Sequence, residues 1–417
     1  MSRRVVLWVV FFLVHLGVAV LGWVQPNQPM GDVYFVYEPW SAWALDGVGI
    51  VGVTEPWVYP QLALLPMVLA HGLAWVHSYT VGWAIFVTAC NALAFGLLVG
   101  RGRSRGRTVA AWFWLTFMAL IGPVGMYRID AVTVPLAVAG LLWLANAPWA
   151  GSVLLAVGVW IKIWPAALII AGVLALRRRA VVLAGAAIVS GAVLAVVVIA
   201  GGAPHALGFV TEQTGRGLQL EAPVSMFYLW RAVAEVPGSF VFYDRDILTF
   251  QVAGPEVDIV IAVMTPLLAV AVLTVAVIGG LKARAGAPFV TLFPPLALAL
   301  VLTLIVFNKV GSPQFESWLI APFVLWLVID RRRAWPLAVI ALAIAAMTQV
   351  VYPLAYSGLL VPLPFPVALL TVRNLLLVVL LGWSIARLVR VAAPGRAVSR
   401  ALPERLSTSD VATDVAR

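Results

Sequence analysis

Apolar stretches of about twenty residues recur along the whole chain, and each is long enough to cross a bilayer as a helix. The pattern predicts spans over 5–24, 79–100, 108–122, 131–146, 151–162, 163–176, 180–200, 257–279, 287–307, 315–329, 335–353 and 366–388. Helices satisfy their own backbone hydrogen bonds in hydrocarbon, and the ten-residue alternation of a membrane β-barrel is absent. The expected fold class is therefore an all-α polytopic membrane protein of about twelve transmembrane helices. Two spans are short and share one apolar hairpin, broken at Lys162-Ile163-Trp164-Pro165. Pro165 lacks an N–H and suits a break or a helix start. Met1-Ser2-Arg3-Arg4 followed by the run Val5 to Val24 reads as a retained anchor. The run is long for a signal-peptide core, and no small-x-small cleavage site follows it. No internal repeat is visible.

Composition agrees with the pattern. The chain is 63% hydrophobic and 11% charged, against about 25% charged in soluble domains. The single cysteine, Cys90, lies mid-span, excludes an intramolecular disulfide and reads as a small packed side chain. The net charge of +10 would suit a nucleic-acid binder, but its distribution argues against one. Twenty of the 27 Lys and Arg residues sit in six clusters: Arg3-Arg4, Arg101 to Arg107, Arg177 to Arg179, Lys282/Arg284, Arg331 to Arg333, and a series from Arg387 to Arg417. Four acids share those segments, while the rest of the chain holds seven cations and 13 acids. This asymmetry predicts that the clusters and both termini face the cytoplasm of a plasma membrane. Tyr59 to Val76 is long enough to span, but a span there would put Arg101 to Arg107 on the wrong side. It is expected to lie on or partly in the outer leaflet, where Pro60, Pro66, His71 and His77 suit an irregular segment. The organisation expected is one membrane domain over 1–390 and a basic, disordered tail over 391–417.

The polar chemistry gathers in outer loops at about 25–78, 201–258 and 308–316. The first holds Asp32, Glu38, Asp46 and Glu55 among Tyr34, Tyr37, Trp40, Trp43, Trp57 and Tyr59; the second holds His205, Arg216, Gln219, Glu221 and Asp244-Arg245-Asp246; the third holds Lys309, Gln314 and Glu316. Each feature has a plain reading as well. Boundary aromatics anchor helices, long cations snorkel, and outer acids are solvated. Convergence favours more: cations beside span ends on the disfavoured side would suit a lipid-linked phosphate.

Gly31-Asp32-Val33-Tyr34 after the first span, Glu55-Pro56-Trp57-Val58-Tyr59-Pro60-Gln61 with the apolar run to Pro66, Trp160-Ile161-Lys162-Ile163-Trp164-Pro165 before a triple arginine, and Lys309-Val310-Gly311-Ser312-Pro313-Gln314 together resemble the GT-C fold glycosyltransferases. Within these they resemble family 87, the polyprenyl-phosphate-sugar-dependent enzymes of actinobacteria, over roughly residues 1 to 330. That family includes mannosyltransferases and arabinofuranosyltransferases. The resemblance implies an acidic general base in the first outer loop, one or two jaw helices on the outer membrane surface, and a donor such as polyprenyl-phosphate-mannose, without a nucleotide. Asp32 matches the family's acidic signature and takes the base role by that match. The family's Tyr-Pro-Pro is here Tyr59-Pro60-Gln61, which blurs the subfamily. Arg216 to Glu221 resembles a variant of some members.

The expected reaction is transfer of a sugar, mannose first, from the lipid-phosphate donor to a glycolipid or glycan acceptor on the outer face. A single inverting displacement needs one carboxylate base; retention needs a second, nucleophilic carboxylate. Asp32 is the candidate base, with Glu55 as alternative and Asp46 behind it. Arg128, Lys162, Arg216 and Lys309, with Gln314 as neutral donor, are candidates for the phosphate. Tyr34, Tyr59 and His205 are candidates for substrate contact, and His71 is a further auxiliary. His15 and His77 read as structural. No cofactor, metal or nucleic-acid partner is expected. Asp244-Arg245-Asp246 has the spacing of a metal-binding pair but reads as a solvated loop, and no His/Cys cluster has metal spacing. Two rivals stay open: a lipid-linked oligosaccharide ligase or polymerase, and a multi-span transporter or flippase, for which Arg373 inside the last span is the main sign.

Overall fold

The computed structural model describes residues 2–212, 215–245 and 247–392. The predicted tail from 393 onward and Asp246 of the acidic triplet lie outside the described residues. Long helices form where the apolar runs predicted them: α1 (Arg3–Val24), α4 (Tyr79–Val99), α5 (Arg105–Ile121), α9 (Arg179–Ile199), α12 (Val257–Arg284), α13 (Phe289–Val306), α14 (Ile320–Gln349) and α16 (Pro364–Val389). Among the described residues, eight helical stretches are long and apolar enough to cross a membrane. One of them, Pro313–Leu354, covers two predicted spans, because α14 turns at Asp330, whose φ of −145° is not helical. Three predicted spans form shorter helices, α6 (Asp130–Leu144), α7 (Pro148–Ile161) and α8 (Ala166–Ala175). The break between α7 and α8 falls at the expected place, with Lys162 extended and Pro165 capping α8.

α13 is the central helix, with 78% of its apolar window buried, whereas α12 at 11% and α9 at 17% are peripheral. The main core packs α5, α6, α13, α14 and α16 around Phe113, Phe117, Phe293, Phe323 and Trp164. The arginine clusters meet at one end of the bundle. Gly102 abuts Arg4, Gly106 abuts the Val328 carbonyl, and Leu174 reaches Gly280. Lys282 Nζ donates to the Val391 carbonyl at 3.0 Å. The longer loops occupy the opposite end, called the loop face below.

On the loop face the first loop builds α2 (Glu38–Leu45) and α3 (Leu64–His71). Each is eight residues, about 12 Å at about 1.5 Å per residue, too short to cross about 30 Å of hydrocarbon. The stretch from Tyr59 to Val76 is thus broken into short pieces rather than one helix. A Cβ on Gly82 would lie 2.6 Å from the Ala70 carbonyl oxygen, so glycine lets α4 seat directly against the end of α3. The second loop carries α10 (Gly208–Thr211), α11 (Met226–Val233) and an antiparallel hairpin of β1 (Phe240–Asp244) and β2 (Thr249–Ala253), with Phe242 opposite Gln251. That hairpin is an addition to the all-helical expectation. α15 (Ser357–Leu360) precedes α16. Gly311 lies so close to Glu221 and Ala222 that a Cβ there would overlap their backbone. The 308–312 turn is thereby docked onto the second loop, where Gln219 N–H donates to the Lys309 carbonyl at 3.0 Å.

Candidate active site

Three short helices, α6, α7 and α8, bring polar groups together at the loop face. α6 and α7 are 15 and 14 residues, about 22 and 21 Å long, and both connect to segments on the arginine face. Both are shorter than a bilayer's about 30 Å of hydrocarbon. Their loop-face ends carry Arg128 to Asp130 and Lys162.

Asp32 opens a helical segment that runs into a π-turn, Val33–Tyr37, closed by the Glu38 N–H bonding to the Val33 carbonyl. The five-residue spacing brings Tyr37 back over Asp32, and its hydroxyl lies 3.5 Å from Asp32 Oδ2. The same hydroxyl accepts the Ile129 N–H at 3.0 Å, next to Arg128. Arg128 Nη1 then pairs with Asp32 Oδ1 at 2.5 Å, with the Arg128 side chain buried and 34% of the Asp32 side chain exposed. Arg128 Nη2 donates to the Tyr352 hydroxyl at 3.0 Å, which itself donates to the carbonyls of Asn27 and Gln28. Burial disfavours the Arg128 charge, but Asp32 and the surrounding phenols reverse this and raise its affinity for the proton. One predicted phosphate ligand is thus the counter-ion of the predicted base. Tyr34 leaves the same turn half-buried, within electrostatic reach of Arg128.

Tyr59 links the other cations. Lys162 Nζ sits 4.4 Å above its ring and 6.0 Å from the Phe315 ring centroid, a cation–π arrangement. Trp57 and Trp40 meet Tyr59 edge-on at 5.5 and 6.0 Å. Arg216 is within electrostatic reach of Tyr59; burial lowers its hold on the proton, and its Nε is buried without a hydrogen-bond partner. Lys309 is buried on the docked turn, and burial likewise lowers its ammonium. Gln314 is buried immediately before Phe315.

Three carboxylates expected to be solvated are instead buried: Asp130, Glu221 and Glu316. Asp130 Oδ1 accepts the Trp318 indole N–H at 2.6 Å, and its Oδ2 has no hydrogen-bond partner. Trp318 stacks on Trp164 at 5.6 Å and on Phe315 at 4.2 Å. Glu221 and Glu316 share Arg373, whose Nη1 lies 3.3 Å from one and 2.7 Å from the other. Arg373 Nη2 also donates to the Glu221 carbonyl at 3.2 Å. Arg373 therefore ties α16 to two loop-face segments, which removes the sign that favoured a transporter.

Other candidates stand apart. Glu55 is exposed on a tight turn whose carbonyl accepts the Gly52 N–H, and Asp46 is exposed at the end of α2. His205 is half-buried, its carbonyl accepting Gln61 Nε2 at 3.1 Å. His71 bonds Ser41 at 2.9 Å and joins α3 to α2. His77 is exposed, and His15 is buried against Phe11 within α1. Asp244 accepts the Ile247 N–H and Gln251 Nε2 and so closes the hairpin.

An all-α polytopic membrane protein with a carboxylate and several cations gathered at one end is the class these features define. Residues 57–233 match the model of glycosyltransferase family 87, and that match supports a membrane glycosyltransferase. The matched segment contains Tyr59, Arg128, Lys162, His205 and Arg216; Asp32 precedes it, and Lys309 and Gln314 follow it. No curated protein and no solved structure matches the chain.

Proposed function

We propose that the protein transfers a sugar, mannose in the first instance, from a polyprenyl-phosphate donor to a glycolipid or glycan acceptor. The observation that carries this reading is the pairing of Asp32, a third exposed, with Arg128 in a cluster that also holds Lys162 and Tyr59. The acceptor hydroxyl attacks the anomeric carbon, the bond from that carbon to the phosphate oxygen breaks, and the electron pair leaves with the phosphate. Asp32 takes the hydroxyl proton. Negative charge grows on the departing phosphate, so Lys162, Arg216 and Lys309 stabilise the transition state more than the ground state. Arg128 orients Asp32 and stands beside the same charge. A single carboxylate suffices for inversion, and the engagement of Asp130 with Trp318 leaves it poorly placed as the second nucleophile that retention needs.

We place the site on the outer side of the plasma membrane with both termini cytoplasmic, because the arginine clusters share the other face. Jaw helices α2 and α3 and the surrounding lipids would then receive both lipid-linked substrates. The test is an assay of membranes containing the full chain, with radiolabelled polyprenyl-phosphate-mannose and, separately, polyprenyl-phosphate-arabinose. Label should appear in an extracted glycolipid or glycan with one donor. No labelled product with either, in membranes that hold acceptor, overturns the proposal.

A further inference from the structure

A groove of about 670 Å³ on the loop face is bounded by the hairpin, the segment from Gly215 to Gly217 and the start of α12. Its volume is that of small-molecule sites, about 300–1,000 Å³. Strand alternation puts Phe240, Phe242 and Asp244 on one face of β1, with Gln251 across from Phe242. The opposite face is spent on packing, where Val241, Phe250 and Val252 join Leu218, Leu220 and Tyr228. Phe240 and Phe242 remain 53% and 38% exposed with ring centroids 6.1 Å apart. Two adjacent aromatic rings thus stand on a rigid hairpin, turned away from the core.

The rest of the lining is mixed, with Arg216, Asp244, Gln251 and Asp258 beside Val252, Ala253, Val257 and Ile261. Asp244 and Gln251 already bond each other, but Arg216 Nε is buried without a hydrogen-bond partner and Asp258 is exposed, and a hydrocarbon chain would satisfy neither. A sugar suits both parts of the wall, with C–H faces for the rings and hydroxyls for the carboxylates and amide. The wall is also fixed in place. Leu220 N–H bonds to the Phe250 carbonyl and Val252 N–H to the Leu218 carbonyl. Arg216 belongs to both sites, because it lines the groove and is within electrostatic reach of Tyr59.

We propose that this groove binds the carbohydrate portion of the acceptor and leads its reactive hydroxyl toward Asp32, an assignment that rests on the transferase reading above. The test uses the purified full chain in detergent with two diazirine probes, an octyl mannoside and an octanol without sugar. The mannoside should label peptides within residues 240–258 and the octanol should not. Phe240→Ala/Phe242→Ala should lower that labelling at least about fivefold, and Asp258→Asn, an exposed position, should lower it too. In transfer assays the double variant should raise the acceptor KM about tenfold with kcat and the donor KM nearly unchanged. Equal labelling by octanol would make the hairpin a lipid-contact surface and overturn the assignment. So would labelling confined elsewhere, or an unchanged acceptor KM. The labelling needs no turnover, so a wild-type protein that fails to transfer sugar sinks the transferase reading separately.

Discussion

Replacing Arg373 by glutamine removes the guanidinium that Glu221 and Glu316 share. The three side chains are at most 2% exposed, with contacts of 2.7 and 3.3 Å. Breaking a buried ion pair by deleting one partner costs about 3–5 kcal/mol, because the remaining charge is left buried without compensation. Here two carboxylates would be left facing each other, so the upper part of that range is expected, a shift of roughly a thousandfold in the folding equilibrium. Arg373→Gln/Glu221→Gln/Glu316→Gln replaces every charge by an amide and should recover most of the loss. The assay is denaturant unfolding of the full chain in detergent, followed by tryptophan fluorescence. The pH dependence has a definite sign. Burial pushes the Glu221 carboxyl up, so the folded state binds its proton more tightly than the unfolded chain does. That contribution is complete below the unfolded carboxyl range and fades as pH rises through the folded value. Arg373→Gln should therefore be most damaged at alkaline pH and should regain stability on acidification. A loss under about 1 kcal/mol, or a triple variant no better than the single one, would refute the account of the triad.

Tyr37→Phe removes the acceptor of the Ile129 N–H and the hydroxyl beside Asp32. It should cost about 1–3 kcal/mol in stability, read by thermal unfolding, and should lower transfer as Asp32 loses its support. Gly311→Ala forces a Cβ into the Glu221–Ala222 backbone; a loss of about 1–3 kcal/mol or more is expected, measured against a neighbouring Ser312→Ala control. A cysteine at Trp75, which is 82% exposed, should react with a membrane-impermeant maleimide from the outer side, and labelling from the arginine face instead would break the proposed orientation.

The sequence made the membrane helices legible because an apolar run of bilayer length has few other uses. The short α7–α8 hairpin was equally plain, since Pro165 and Lys162 interrupt a run that would otherwise continue. The β1–β2 hairpin was hidden: Phe240 to Tyr243 is apolar on both faces, so period-2 contrast disappears even though only one face is packed. Within the site, Asp32, Tyr59, Arg128, Lys162 and Arg216 stood out as charged or aromatic residues beside span ends. Their partners did not. Tyr352 pairs with Arg128 across 224 positions and Trp318 with Asp130 across 188, separations that no local pattern reports. Arg373 did give a signal, because a cation inside an apolar span demands an anion. Following that demand to the nearby outer loops points to Glu221 and Glu316, acids whose position in loops otherwise reads as solvated.

The most direct test of the central claim is Asp32→Asn, assayed for transfer from the donor that labels the wild type. The amide keeps the shape of the carboxylate but cannot take the proton from the acceptor hydroxyl. Turnover should fall by about 10²–10⁴, while the unfolding transition and photolabelling by a donor analogue persist. Turnover near that of the wild type would contradict the assignment of Asp32 as the base and, with it, the mechanism proposed for this site.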